Sequence, residues 1–163
     1  MSHSILDGKK ILAVDDEPDV LDVLEEEISY KCPNCGIDKA VNFEDAKKLL
    51  ESKPYDIVIL DIMGVRGFDL LDIAVKHDLK VAILTAHAIT PEALKRSYEM
   101  KARAYLPKTK LGEIVPFLED ILKYDYQPGW QRLMAKLQDF FDQTFEPDWE
   151  KKSGLNWRDK PSW

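Results

Sequence analysis

Residues 10–18 read Lys10-Ile11-Leu12-Ala13-Val14-Asp15-Asp16-Glu17-Pro18, an apolar run that stops on three acids and a proline. A strand that is apolar on successive residues is covered on both faces, as in a parallel sheet flanked by helices. The pattern recurs outward along the chain. Ile37 to Val41, Asp56 to Leu60, Lys80 to Leu84 and Ala104 to Leu106 are short, mostly unalternated runs, and each is followed by a more helical pattern. Alternation of this kind predicts an α/β architecture, a doubly wound parallel sheet.

The intervening segments supply the covering helices. Asp19 to Ile28 puts Val20, Leu21, Leu24 and Ile28 on one stripe, and Glu44 to Glu51 does the same with Ala46, Leu49 and Leu50. A third helix is expected over Phe68 to His77. Thr90-Pro91-Glu92 opens a fourth, with a hydroxyl cap, a proline in the first turn and an acid at the positive end of the dipole, running to about Met100. A fifth, about Glu113 to Tyr124, tolerates Pro116 near its opening turn, where amide donors are spare. After Tyr124 the character changes. Pro128-Gly129 is expected to break the chain, after which Trp130, Leu133, Met134, Leu137, Phe141 and Phe145 recur at helical spacing. All four tryptophans, Trp130, Trp149, Trp157 and Trp163, lie in this tail, and its last stretch, 146–163, reads as irregular. The expected division is a main domain over 1–124 and a C-terminal aromatic-rich extension over 125–163.

Composition limits the function. With 163 residues and 45% hydrophobic content, the chain can bury one substantial core. Its formal charge of -7 lacks the electrostatic term behind generic nucleic-acid binding. The polar stretch Met1 to Gly8 and the absence of any ~20-residue apolar run argue against a signal segment or a membrane span, so a cytoplasmic location is expected.

The chemistry gathers at strand ends. In an open parallel sheet, ligands bind beyond the carboxyl ends of the strands. There the sequence places Asp15 and Asp16 after the first strand, Asp61 after the third, Thr85 after the fourth and Lys108 just past the fifth. Three carboxylates converging on one cleft need a compensating cation, and Mg²⁺, or Mn²⁺ in its place, suits an all-oxygen site that also takes phosphate. Lys108 adds a point charge for one phosphoryl oxygen and Thr85 a hydroxyl donor for another. Asp61, central in the sheet, is then the expected nucleophile, with Asp15 and Asp16 better placed to hold metal.

Four short motifs in this order, Asp15-Asp16-Glu17-Pro18, Asp61-Ile62-Met63, Leu84-Thr85-Ala86-His87 and Ala104-Tyr105-Leu106-Pro107-Lys108, make residues 9–123 resemble the receiver domains of two-component response regulators. The resemblance implies a flavodoxin-like (βα)5 three-layer sandwich with strand order 2-1-3-4-5. It implies that Asp61 is the phosphoacceptor, charged by a sensor histidine kinase or a phosphotransfer protein. It also implies that Mg²⁺ is held by Asp16, Asp61 and the Met63 backbone carbonyl, with Asp15 acting through water. Thr85 and Tyr105 would switch together and remodel the face formed by the fourth helix, fifth strand and fifth helix, while Met63 and His87 tune dephosphorylation. Such a domain is no enzyme beyond Mg²⁺-dependent self-phosphorylation and autodephosphorylation. It would signal by protein contact with an output protein, and a second copy of the chain is a further candidate partner.

Three features depart from the family pattern. The loop Gly64-Val65-Arg66-Gly67 is short and lacks proline, Thr109 stands where a cis proline usually follows the lysine, and Met63 is bulky, which suggests slow loss of phosphate. Two rivals are a pseudo-receiver that binds partners without phosphorylation and a phosphatase of the haloacid dehalogenase type. The intact Asp16, Asp61, Thr85 and Lys108 set argues against the first, and the lack of an Asp-x-Asp motif against the second. Cys32-Pro33-Asn34-Cys35 resembles half a zinc knuckle without its second half, so a reduced structural turn is expected there rather than zinc. The aromatic tail is expected to pack on its own domain or on a twin; the sharper alternative is an interaction segment for an output partner, or one gated by Asp61 chemistry.

Overall fold

The computed structural model describes residues 4–86 and 89–155. His3, His87, Trp157 and Trp163 therefore lie outside the described residues. Five strands, β1 (Lys10–Val14), β2 (Gly36–Ala40), β3 (Ile57–Leu60), β4 (Lys80–Thr85) and β5 (Ala104–Pro107), form one parallel sheet in the order β2-β1-β3-β4-β5. The three central strands carry the unalternated apolar runs, and Ile11 to Val14, Ile57 to Leu60 and Val81 to Leu84 are buried throughout. Each fully buried Ile, Leu or Val side chain contributes about 1.5–3 kcal/mol, so these strands anchor the core.

The helices are α1 (Pro18–Lys31), α2 (Phe43–Ser52), α3 (Gly67–Lys76), α4 (Pro91–Glu99) and α5 (Ile114–Lys123), the last entered through a 3-10 turn at Lys108–Glu113. Right-handed crossovers and the reversal between β2 and β3 put α1 on one face and α2, α3 and α4 on the other. The packing of α1 against α5 and of α2 against α3 completes the three layers. Local chemistry starts these helices where the sequence predicts. Asn42 accepts a hydrogen bond from the Asp45 amide at the head of α2, and Thr90 accepts one from Ala93, at 3.0 Å, ahead of Pro91. Pro116 falls on the third residue of α5, inside the opening turn.

The tail differs from expectation in two places. Pro128-Gly129 does not break the chain, because α6 (Tyr126–Thr144) begins two residues earlier. Pro128 thereby sits in a first turn that needs no amide from it, and Gly129 donates to the Asp125 carbonyl at 2.8 Å. Within the stretch read as irregular, Trp149–Ser153 forms a short helix, α7. Its burial of Trp149 in the core is a tertiary effect that no local period announces.

The stripe of α6, Trp130, Leu133, Met134, Leu137 and Phe141, is buried against α5 and the edge strand β5, and α7 lies against α4. The Trp130 indole donates to the Ala102 carbonyl at 2.8 Å. An edge strand covered by a helix is closed to edge-to-edge association.

Candidate functional site

Two hydrogen bonds carry the ladder one residue beyond the strands and set the notch. The Asp61 amide donates to the Val14 carbonyl at 3.0 Å, and the Asp15 amide to the Ala40 carbonyl at 3.1 Å. Asp15 and Asp61 therefore stand at the same carboxyl rim, 2% and 1% exposed, while Asp16, the next residue, is exposed. Each of the three offers a carboxylate oxygen within 4.8 Å of the others.

Lys108 crosses the sheet edge to meet them. Its ammonium lies 2.9 Å from Asp61 Oδ2, 2.9 Å from Asp15 Oδ2 and 3.4 Å from Glu17 Oε1. Among the described residues no peptide is cis, so Lys108 reaches the notch with Thr109 after it and without the family's cis proline. The remaining oxygens are held by amides: Glu17 donates to Asp15 Oδ1 at 2.9 Å and Met63 to Asp61 Oδ1 at 3.3 Å. Asp15 Oδ2 has the Lys108 ion pair but no aligned hydrogen bond.

The charge balance is unfavourable to the acids. Burial raises the Asp15 pKa above the usual carboxylate value, and nearby Asp61 adds to the rise, against the lowering pull of Lys108 and the Glu17 amide. For Lys108 burial works against the charged form, but Asp15 and Asp61 outweigh it and hold its pKa above the ordinary lysine value. One ammonium thus faces three carboxylates in a half-enclosed notch. A buried oxygen without an aligned donor, beside two further carboxylates, is a donor set that a hard divalent cation fits.

Thr85 ends β4, fully buried, with Pro107 as its lateral partner, directly before Lys108. Tyr105 is fully buried on β5, and burial raises its pKa against the lowering effect of the Thr90 backbone beside its hydroxyl. The Met63 side chain stands 52% exposed after Asp61. The structure therefore brings together Asp15, Asp16, Asp61 and Lys108 in direct geometry, with Thr85 and Met63 on the adjoining chain. Cys32 and Cys35 are free thiols with their sulfurs 2.9 Å apart, and Cys35 also meets the Leu6 carbonyl. Among the described residues, neither belongs to a group of three or more metal-competent side chains.

Three participants escaped the sequence reading. Glu17 joins the Lys108 cluster. Gly64, at φ +85°, lies so close to Asp16 that a Cβ there would stand 2.6 Å from its Cγ. At Gly67 a Cβ would stand 2.5 Å from the Ile62 Cα. Two glycines in a short loop after the central acid were the available signal, since close backbone approach and positive φ both select glycine.

With this geometry in hand, comparison with known proteins gives the class. The model of the response regulator receiver domain matches residues 11–118. This chain belongs to that family. A two-component response regulator of Arabidopsis thaliana, ARR18, is 35% identical over 92 residues, a match covering 54% of this chain and 14% of that protein. The chain therefore spans only a small part of that relative's length. The response regulator TrrA of Thermotoga maritima, solved in complex with Mg²⁺-BeF, is 34% identical, with a TM-score of 0.59 over 69% of this chain and 98% of that one. The phosphorylated cyanobacterial phytochrome response regulator RcpA shares the fold at 18% identity, with a TM-score of 0.61 over 73% of this chain and 93% of that one. No described helix is long and apolar enough to cross a membrane.

Proposed function

We propose that this chain is a phosphorylation-dependent signalling receiver that accepts a phosphoryl group on Asp61 from a histidine kinase or phosphotransfer protein. Residues 1–124 act as the receiver and 125–163 as its extension. A carboxylate oxygen of Asp61 attacks the phosphorus of a phosphohistidine; a new O–P bond forms as the P–N bond breaks, and the leaving imidazole takes up a proton. An acyl phosphate such as acetyl phosphate serves as donor in the same way, with a P–O bond breaking and acetate leaving.

Lys108 gives up its pairing with Asp61 Oδ2 to hold a phosphoryl oxygen, and the Thr85 hydroxyl donates to another. Asp15, Asp16, Asp61 and the Met63 carbonyl would hold Mg²⁺, or Mn²⁺ through the same oxygen donors. That ion supplies charge neutralisation for the transferring group. His87 joins Met63 in governing how readily water reaches the phosphoryl group, and Thr85 with Tyr105 carries the change to the α4, β5 and α5 face. Self-phosphorylation and autodephosphorylation are the whole of its catalysis. The chain works in the cytoplasm, through protein contacts with an output partner or a second copy rather than through nucleic acid.

The observation that carries this reading is the Lys108 ammonium at 2.9 Å from both buried acids, with Asp16 beside them. Incubation with Mg²⁺ and acetyl phosphate should add the mass of one phosphoryl group, and Asp61→Asn should abolish it. A phosphorylated Asp61→Asn protein, or an unmodified parent, overturns the reading.

A further inference from the structure

The extension packs beside the phosphoryl site on β5, the strand that leads into Lys108. Tyr105 faces Phe141 of α6 at 6.1 Å between ring centroids. Phe141 stacks on Phe145 at 5.3 Å, and Trp149 of α7 closes edge-on against both, at 6.0 and 5.0 Å. Farther along α6, Tyr98 of α4 meets Trp130 edge-on at 5.1 Å and Tyr126 at 5.3 Å. An aromatic seam therefore fastens α6 and α7 onto α4 and β5. Beside it a cleft of about 350 Å³ separates Thr90 and Pro91, at the head of α4, from Phe145 and Trp149.

The register ties this seam to the notch. Ile83 pairs with Tyr105 and Thr85 with Pro107, so Thr85 and Tyr105 are diagonal neighbours on one face of the sheet. Both are fully buried, and the Tyr105 hydroxyl lies at the backbone of Thr90. If the Thr85 side chain turns toward a phosphoryl oxygen, it leaves a void on that face that close-packed surroundings do not sustain. The adjoining large side chain on β5 is Tyr105, and its shift withdraws the ring on which Phe141 rests.

We propose that α6 and α7 form a phosphoryl-sensitive clasp: docked on the α4 and β5 face while Asp61 is unmodified, and loosened when a phosphoryl group or its mimic occupies Asp61. The inference rests on Asp61 as phosphoacceptor. It adds what the signal does inside this chain, namely uncover an aromatic helix and the face beneath it. Coupling of this kind is reciprocal, so whatever factor the mimic gives to undocking, a weakened clasp returns in affinity for the mimic.

The test uses the full chain, in which every tryptophan lies beyond residue 125, so that tryptophan emission reports on the extension alone. Mg²⁺ with beryllofluoride is added while fluorine NMR independently records occupancy of the site. Occupancy should bring a red shift of emission and amide exchange in α6 and α7 faster by about tenfold or more. Trp149→Ala should bind beryllofluoride about tenfold more tightly. If that variant is globally unstable, Phe145→Leu trims the same seam and serves for the same measurement. Occupancy with unchanged or slower exchange overturns the clasp and leaves the Asp61 reading standing. Failure of fluorine NMR to detect a bound species overturns both.

Discussion

The acidic notch and the aromatic seam flank the same short strand, β5, and they are built on opposite physics. The notch holds two acids at 1% and 2% exposure against one lysine, an arrangement in which desolvation of charge opposes folding. The seam holds Trp130 and Phe141, fully buried, where desolvation of apolar surface drives folding. Reactivity is thus concentrated where stability is poorest, and the extension adds stability beside it. Substitutions in the two regions should consequently act on stability through different forces, charge in the notch and apolar burial in the seam.

The largest effect expected is on stability. Trp130→Ala empties a site with no exposure and leaves the Ala102 carbonyl without its indole donor, so it should cost about 3–5 kcal/mol in chemical denaturation. Because Trp130 belongs to the seam, its loss should also tighten beryllofluoride binding, in the same direction as Trp149→Ala. A loss under about 1 kcal/mol would place the extension outside the cooperative core, against the full burial of Trp130.

Lys108→Met inverts that test. It leaves Asp15 and Asp61 buried without their ammonium, which should cost about 3 kcal/mol near neutral pH in metal-free solution. The pH sign follows from Asp15, whose folded pKa is raised above the ordinary 3.8. Its contribution is fully present below that value and fades as pH rises through the raised one. Without Lys108, which lowers that pKa, the rise is larger, so the deficit relative to the parent should grow from acid toward neutral pH. Denaturation curves showing a deficit that is constant with pH would exclude charge as its cause. Added Mg²⁺ should shrink the deficit.

Much of both regions was legible in the sequence, for a physical reason. Strands covered on both faces need unalternated apolar runs, and polar residues stand out at their ends, so Asp15, Asp16, Asp61, Thr85 and Lys108 were visible as a set. The stripe from Trp130 to Phe141 was visible by its period. The loop after Asp61 was not, because the demand on Gly64 comes from Asp16, far away in the chain, and not from local propensity. Nor was α7, whose five residues carry too little period to register and are held by Trp149 packing on Phe141 and Phe145. The apparent break at Pro128 misled because proline is neutral in a first turn, and where that turn begins is settled by Tyr126 and Gln127 bonding to Tyr98.

Gly64→Ala sharpens the comparison within the notch. The new methyl group would crowd the Asp16 carboxylate, and φ +85° strains any residue other than glycine. Mg²⁺ affinity by calorimetric titration should fall about thirtyfold, about 2 kcal/mol, while the aromatic seam keeps its tryptophan emission. Unchanged affinity would mean that Asp16 does not contribute to the metal.

The smallest effect concerns the lifetime of the signal. The Met63 amide holds Asp61 Oδ1 at 3.3 Å, while its side chain stands half exposed next to Asp61, the proposed phosphoacceptor. A thioether accepts hydrogen bonds weakly and donates none, so it cannot orient a water for attack on phosphorus. An asparagine there offers both a donor and an acceptor. Water attacking phosphorus breaks the bond to Asp61, releases inorganic phosphate and restores the carboxylate. Met63→Asn should therefore shorten the phosphoryl half-life about tenfold, equivalent to about 1.4 kcal/mol in the barrier, as followed by intact mass after removal of the donor. Because this substitution leaves the Thr85 and Tyr105 side chains in place, the tryptophan signal from the extension should decay in step with the phosphoryl group. An unchanged half-life removes the role assigned to Met63, and a tryptophan signal that outlasts the phosphoryl group separates the seam from the notch.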